Sequence, residues 1–188
     1  MQGDCLLMDL CFDLEAQTHA PAYDGSINHG RIQRNLMRLL DATCAKSFYE
    51  VLPRGVQLWV PTKCLGFYPD VLVVAGAPFL HQGRNDRVTN PCLIFEILSQ
   101  QTPAYDPMEA TLTDRSRMFT YCRTIPYLQE YIFIHQQEAR IEQFYRAQEN
   151  VWGMTLQAGF DAVIELNVTN ACLPLMDIYD RVEFVMQV

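Results

Sequence analysis

The chain has 188 residues, of which 49% are apolar and 19% charged, and its formal net charge is -8. That length and balance fit one domain spanning 1–188 with its own hydrophobic core, and they exclude extended disorder, collagen-like and coiled-coil classes. The acidity argues against coating nucleic acid through bulk charge, while leaving room for a local basic groove or a metal that bridges to phosphate.

In chain order, residues 1–22 resist assignment. Cys5 to Phe12 is apolar but short, is broken by Asp9 and follows no basic segment, so neither a signal peptide nor a membrane span is expected. A helix is predicted from about Asn28 to Ser47, capped by Ser26 or Asn28, with Ile32, Leu36, Leu39 and Leu40 on one face. Arg31, Arg34 and Arg38 fall on another face, a stripe that suits either solvent or phosphates. Val56–Val60 and Tyr68–Ala75 read as strands around a turn from Pro61 to Gly66, followed by a polar loop from Gly76 to Asn90. Cys92–Leu98 is a short apolar run of the kind that is buried on both faces of a sheet. A helix within Thr113–Arg123 must stop before Pro126. Further strands are predicted at Glu130–His135, Arg140–Tyr145, Val151–Gln157 and Ala162–Leu166, and a short helix near Pro174. This order gives an α/β (α+β) domain with a mixed β-sheet flanked by helices, without regular βαβ alternation. The seven Cys form no C-x-x-C pair and sit partly in apolar runs, which predicts reduced thiols in a cytoplasmic protein.

Two carboxylates stand out. Glu96 interrupts Leu93-Ile94-Phe95-Glu96-Ile97-Leu98, where a buried charge costs several kcal/mol unless it is paired or bound to metal. Asp70 heads the run Val71-Leu72-Val73-Val74. Each has a plain alternative: Asp at a strand start is commonly a turn or cap residue, and a strand Glu can face solvent or pair with Arg. Together, on neighbouring strands, they suit Mg²⁺, which takes one or two carboxylates and fills its octahedron with water, carbonyl and substrate oxygens.

Tyr68-Pro69-Asp70-Val71 followed by Pro91-Cys92-Leu93-Ile94-Phe95-Glu96-Ile97-Leu98-Ser99 resembles the core of the Uma-two endonuclease group, which has the PD-(D/E)XK restriction-endonuclease-like fold. The likeness spans about residues 22 to 185. It includes Gly25 to Leu36 with His29 and Asn35, the segment Ile125 to Tyr131, and Leu173-Pro174-Leu175 through Ile178 to Phe184. The resemblance implies a metal-dependent nuclease acting on DNA. Asp70, Glu96 and the backbone carbonyl of Ile97 would hold one or two Mg²⁺ or Mn²⁺ ions. The likeness also points to His29, and the Arg31, Arg34 and Arg38 stripe, if it does not simply face solvent, would join it toward nucleic acid.

The chain departs from the pattern at the expected Lys, where Leu98 stands in the strand and Met118 in the helix segment Asp114-Arg115-Ser116-Arg117-Met118-Phe119. Only Lys46 and Lys63 exist, so Arg115 or Arg117 is the expected substitute, able to steady phosphate charge but not to act as a base. The alternative is a catalytically degenerate relative acting as a binding or regulatory module. A homodimer is also expected, with the apolar Tyr127 to Phe133 region and the β-rich C-terminal half as contact surfaces, and no membrane association.

Overall fold

A computed structural model describes residues 26–45, 47–98 and 114–184. The unassigned N-terminal segment, and Gly25 and Ser99 of the resemblance, lie outside these residues. Helix α1 spans Ile27–Cys44 and is capped as expected, with the Ser26 hydroxyl accepting the His29 N–H at 3.0 Å. Ile32, Leu36, Leu40 and Cys44 recur every four residues and are all buried. The helix ends three residues before the predicted Ser47, because Ala45 leaves helical geometry and the Ser47 N–H and hydroxyl both donate to the Cys44 carbonyl.

The strands are β1 (Tyr49–Pro53), β2 (Gln57–Val60), β3 (Leu65–Phe67), β4 (Val71–Ala75), β5 (Arg87–Val88) and β6 (Pro91–Leu98). After helix α2 (Asp114–Cys122) come β7 (Glu130–His135), β8 (Arg140–Gln148), β9 (Val151–Ala158), β10 (Val163–Glu165), β11 (Cys172–Pro174) and the single turn α3 (Leu175–Ile178). Six strands form the main sheet in the order β1-β4-β6-β7-β8-β9; β3-β2-β5 and β10-β11 make two small sheets. Only the β6–β7 pair of the main sheet is parallel, and α2 lies in the connection that such a pairing requires.

β6 divides the core. Leu93, Phe95 and Ile97 pack with Ile32, Leu36 and Leu40 of α1, whereas Ile94 packs with Leu128, Tyr131, Phe133 and Cys122 on the other face. Apolar side chains are therefore needed on both faces, which is why β6 reads as an uninterrupted run except at Glu96. Tyr131, Ile132 and Phe133 are buried within β7, so that part of the Tyr127 to Phe133 stretch is core, whereas Tyr127 is exposed. The central place of β7 in the sheet explains its apolar character.

At the β7 start, Glu130 is fully buried and has no cation beside it among the described residues. Its carboxylate accepts from Gln143 Nε2 at 2.7 Å, from the Asn167 N–H and side-chain amide at 3.1 and 3.0 Å, and from the Val168 N–H at 3.0 Å. The fold thereby ties the 167–168 turn to the sheet.

The thiol expectation needs one correction. Cys44, Cys92, Cys122 and Cys172 are free, but Cys64 is disulfide-bonded. Position 64 follows the 3₁₀ turn Pro61–Lys63 with φ 48°, a loop site that the scattered cysteine spacing did not distinguish from the buried thiols. Among the described residues no helix is long and apolar enough to cross a membrane.

Candidate active site

Asp70 immediately precedes β4, and β4 pairs antiparallel with β6 so that Val71 faces Phe95. One step further along this register brings residue 70 opposite residue 96, the two carboxylates singled out by the sequence. Asp70 is 2% exposed, and three nitrogen donors meet its carboxylate. Arg54 Nη1 lies 2.6 Å and His29 Nε2 3.0 Å from its Oδ1, and the Ile97 N–H donates to Oδ2 at 2.7 Å. The Gln33 amide donates to its backbone carbonyl at 3.0 Å. The four donors come from three elements: His29 and Gln33 from the first turns of α1, Arg54 from the β1–β2 turn, Ile97 from β6. The β1–β2 turn closes through Gly55 at φ +114°, a conformation that side-chain-bearing residues rarely adopt, and this sets Arg54 over Asp70.

Glu96 keeps a partly accessible surface, the one break besides Leu98 in the buried pattern of β6. Its carboxyl is pushed well above the ordinary range, first by desolvation and second by the Asp70 charge; Arg54 and the Tyr131 hydroxyl, 3.4 Å from Glu96 Oε1, act in the opposite direction. Tyr131 and Cys122 are themselves raised by burial and then by the Glu96 charge, which places both beside it.

The other expected residues fall elsewhere. His29, grouped by sequence with a stripe facing nucleic acid, is 2% exposed and bonded to Asp70, because the Ser26 cap starts the helix just where its first turn crosses the head of β4. Arg31 pairs with Glu183 at 3.2 Å; Arg34 and Arg38 are exposed, with Arg34 bonded to Asn35 Oδ1. Arg117 is exposed on α2, and Arg115 belongs to the same helix, its side chain outside the described set. Among the described residues, Arg54 is the cation seen to reach the carboxylates, and the sequence reading did not include it. Its signal was the Pro53-Arg54-Gly55 turn beside a buried Asp that requires a partner.

Asp70 has acceptor capacity left. A carboxylate offers about four lone-pair positions. His29, Arg54 and Ile97 take three, leaving one on Oδ2. The N–H and C=O of a strand residue point to the same edge, so the Ile97 carbonyl faces the Asp70 side of β6 as well. Among the described residues, no three His, Cys, Asp or Glu side chains are arranged to hold an ion. Two carboxylates and one carbonyl are nevertheless an all-oxygen set of the size Mg²⁺ uses.

The sequence profile of the family described as "Uma2: Putative restriction endonuclease" matches residues 22–171. The chain belongs to the Uma2 family. A Synechocystis sp. (strain ATCC 27184 / PCC 6803 / Kazusa) relative, "Uncharacterized protein sll1609", is 35% identical over 147 residues, 78% of each chain. The crystal structure of a putative nuclease belonging to DUF820 from Anabaena variabilis ATCC 29413 superposes with a TM-score of 0.61 at 15% identity, covering 85% of this chain and 83% of that one. The Uma2 chain therefore shares the nuclease-like fold of that structure. The expected restriction-endonuclease-like class and its mixed sheet are borne out.

Proposed function

We propose that this Uma2 chain is a divalent-metal-dependent nuclease that hydrolyses DNA phosphodiester bonds between Asp70 and Glu96. The observation that carries the reading is the meeting of these two carboxylates at one β4–β6 step, with the Ile97 amide on Asp70. Asp70 Oδ2, Glu96 and the Ile97 carbonyl would hold Mg²⁺ or Mn²⁺. Such an ion supplies charge against the phosphate and acidifies a water near neutral pH. The chain's own residues do the rest. Arg54 brings a fixed positive charge to the carboxylates, 18% exposed and so within reach of a phosphate oxygen. This is the role expected of Arg115 or Arg117, moved to the β1–β2 turn. His29 and the Ile97 amide hold the Asp70 plane in place. Exposed Arg34 and Arg38 offer phosphate contacts on a protein otherwise acidic.

The test is cleavage of single-stranded, duplex and branched DNA with Mn²⁺ by purified protein. Slow cleavage is expected, and both Asp70→Ala and the isosteric Glu96→Gln abolish it. No cleavage of any of the three substrates overturns the reading.

A second reading has one observation in its favour: Arg54 already sits on Asp70 as an internal counter-charge, with His29 bonded to the same oxygen, while Leu98 and Met118 replace the expected Lys. On that reading the chain is a catalytically degenerate module that binds or regulates. Mn²⁺ calorimetry separates the two, since this second reading expects DNA binding with no ion uptake.

A further inference from the structure

The two edges of the main sheet are guarded differently. β1 is five residues long, contains Glu50 and ends in Pro53. β9 is eight residues long and contains neither a charged residue nor a proline. Edge strands are normally blunted by charge, proline or shortness, because their outer N–H and C=O groups template further pairing. β9 has none of these guards. It stays in register with β8 from Trp152 to Ala158, the one irregularity falling beside the hairpin turn. Trp152, Met154 and Leu156 project from one face of it. Trp152 packs edge-on against Phe119 at 5.3 Å, whereas Met154 and Leu156 are 50% and 51% exposed.

We infer that β9 pairs antiparallel with β9 of a second copy of this chain, about a two-fold axis at mid-strand, so that one sheet runs through both copies. The side-chain period of two admits only registers in which positions of like parity meet. An axis at Met154 sets Met154 against itself and Trp152 against Leu156. An axis at Thr155 sets Thr155 against itself and Met154 against Leu156. Either joins the two apolar rows, and neither brings charge against charge within the paired strands. The pairing is isologous and therefore closes at two copies. An eight-residue edge is about 26 Å long, and with side-chain layers of about 10 Å on either face it covers roughly 500 Å² per copy, near the lower bound of about 1,000 Å² in total for a specific interface.

Sedimentation of the full chain over a wide micromolar range tests this. A dimer is expected, and Met154→Lys is expected to weaken it at least tenfold while leaving thermal unfolding of the monomer unchanged, since an exposed edge tolerates lysine. Residues at the axis lie within disulfide reach of their own copies. Met154→Cys or Thr155→Cys, oxidised beside wild type treated identically, is expected to give a cross-linked dimer above the wild-type level, and whichever variant does so locates the axis. A wild-type monomer throughout the range overturns the inference and leaves β9 to a strand from another protein. A dimer that withstands Met154→Lys, with neither cysteine variant cross-linking, overturns it as well.

Discussion

The Ile97 N–H donates to Asp70 Oδ2 at 2.7 Å, just past the last ladder pair of β4 and β6, Val71 and Phe95. This bond fastens the head of β4 to the strand that carries Glu96. The backbone segments that carry the two carboxylates are thus held side by side.

Glu96 makes stability depend on pH with a definite sign. Burial, and after it the Asp70 charge, raises its folded-state value well above the ordinary 4.5. The folded protein therefore binds this proton more tightly than the unfolded chain. The stabilisation is full below about pH 4.5 and is lost as pH rises through the folded value. Glu96→Gln does not titrate, so its stability relative to wild type is expected to increase from pH 4.5 to pH 8. Urea unfolding of both proteins at several pH values, without divalent ions, checks this; a constant gap contradicts it.

On the proposed function, Arg54 is the residue that separates ion binding from catalysis. Arg54→Met removes a guanidinium that competes for Asp70, so Mn²⁺ binding at pH 8 is expected to tighten several-fold. The same change removes a charge aimed at the phosphate and is expected to slow cleavage about 10²-fold. Calorimetry and cleavage rates read the two effects, and a parallel fall in both would reduce Arg54 to a structural support.

Glu130 is a prediction about the scaffold. Glu130→Gln turns an amide donor toward donors that now share a carboxylate. Leaving buried donors unmatched costs about 1–3 kcal/mol. A lower urea midpoint with unchanged Mn²⁺ affinity is expected, because Glu130 pairs with Leu93 at the opposite end of β6 from Glu96.

The exposed arginines of α1 predict a salt effect. If Arg34 and Arg38 each neutralise one phosphate, replacing both with alanine lowers the slope of log affinity against log salt by about 2. Filter binding between low and moderate salt measures it, and an unchanged slope returns both residues to the solvent face.

Sequence pattern carried much of the fold, for identifiable reasons. Ser26 and the four-residue recurrence of Ile32, Leu36 and Leu40 mark α1, and the doubly buried run of β6 makes Glu96 conspicuous. β1 was missed because Tyr49–Pro53 is partly exposed along its length and contains Glu50 and Pro53, leaving no clean alternation to read. Asp70 and Glu96 were visible as anomalies against their neighbours. Arg54 was not, because an arginine in a turn is ordinary until the fold sets it 2.6 Å from residue 70. His29 was hidden for the opposite reason. A histidine in a helix's first turn is usually a surface group, and only the docking of α1 over β4 makes it a partner of Asp70.

The β1–β2 turn has an evolutionary corollary. The two carboxylates are held by sheet and helix, where substitutions disturb packing, but their counter-charge stands on a short connection that tolerates change. On the proposed reading, ion preference and turnover would drift through single replacements at position 54 while the scaffold stays as it is, silencing or reviving such a centre without refolding it.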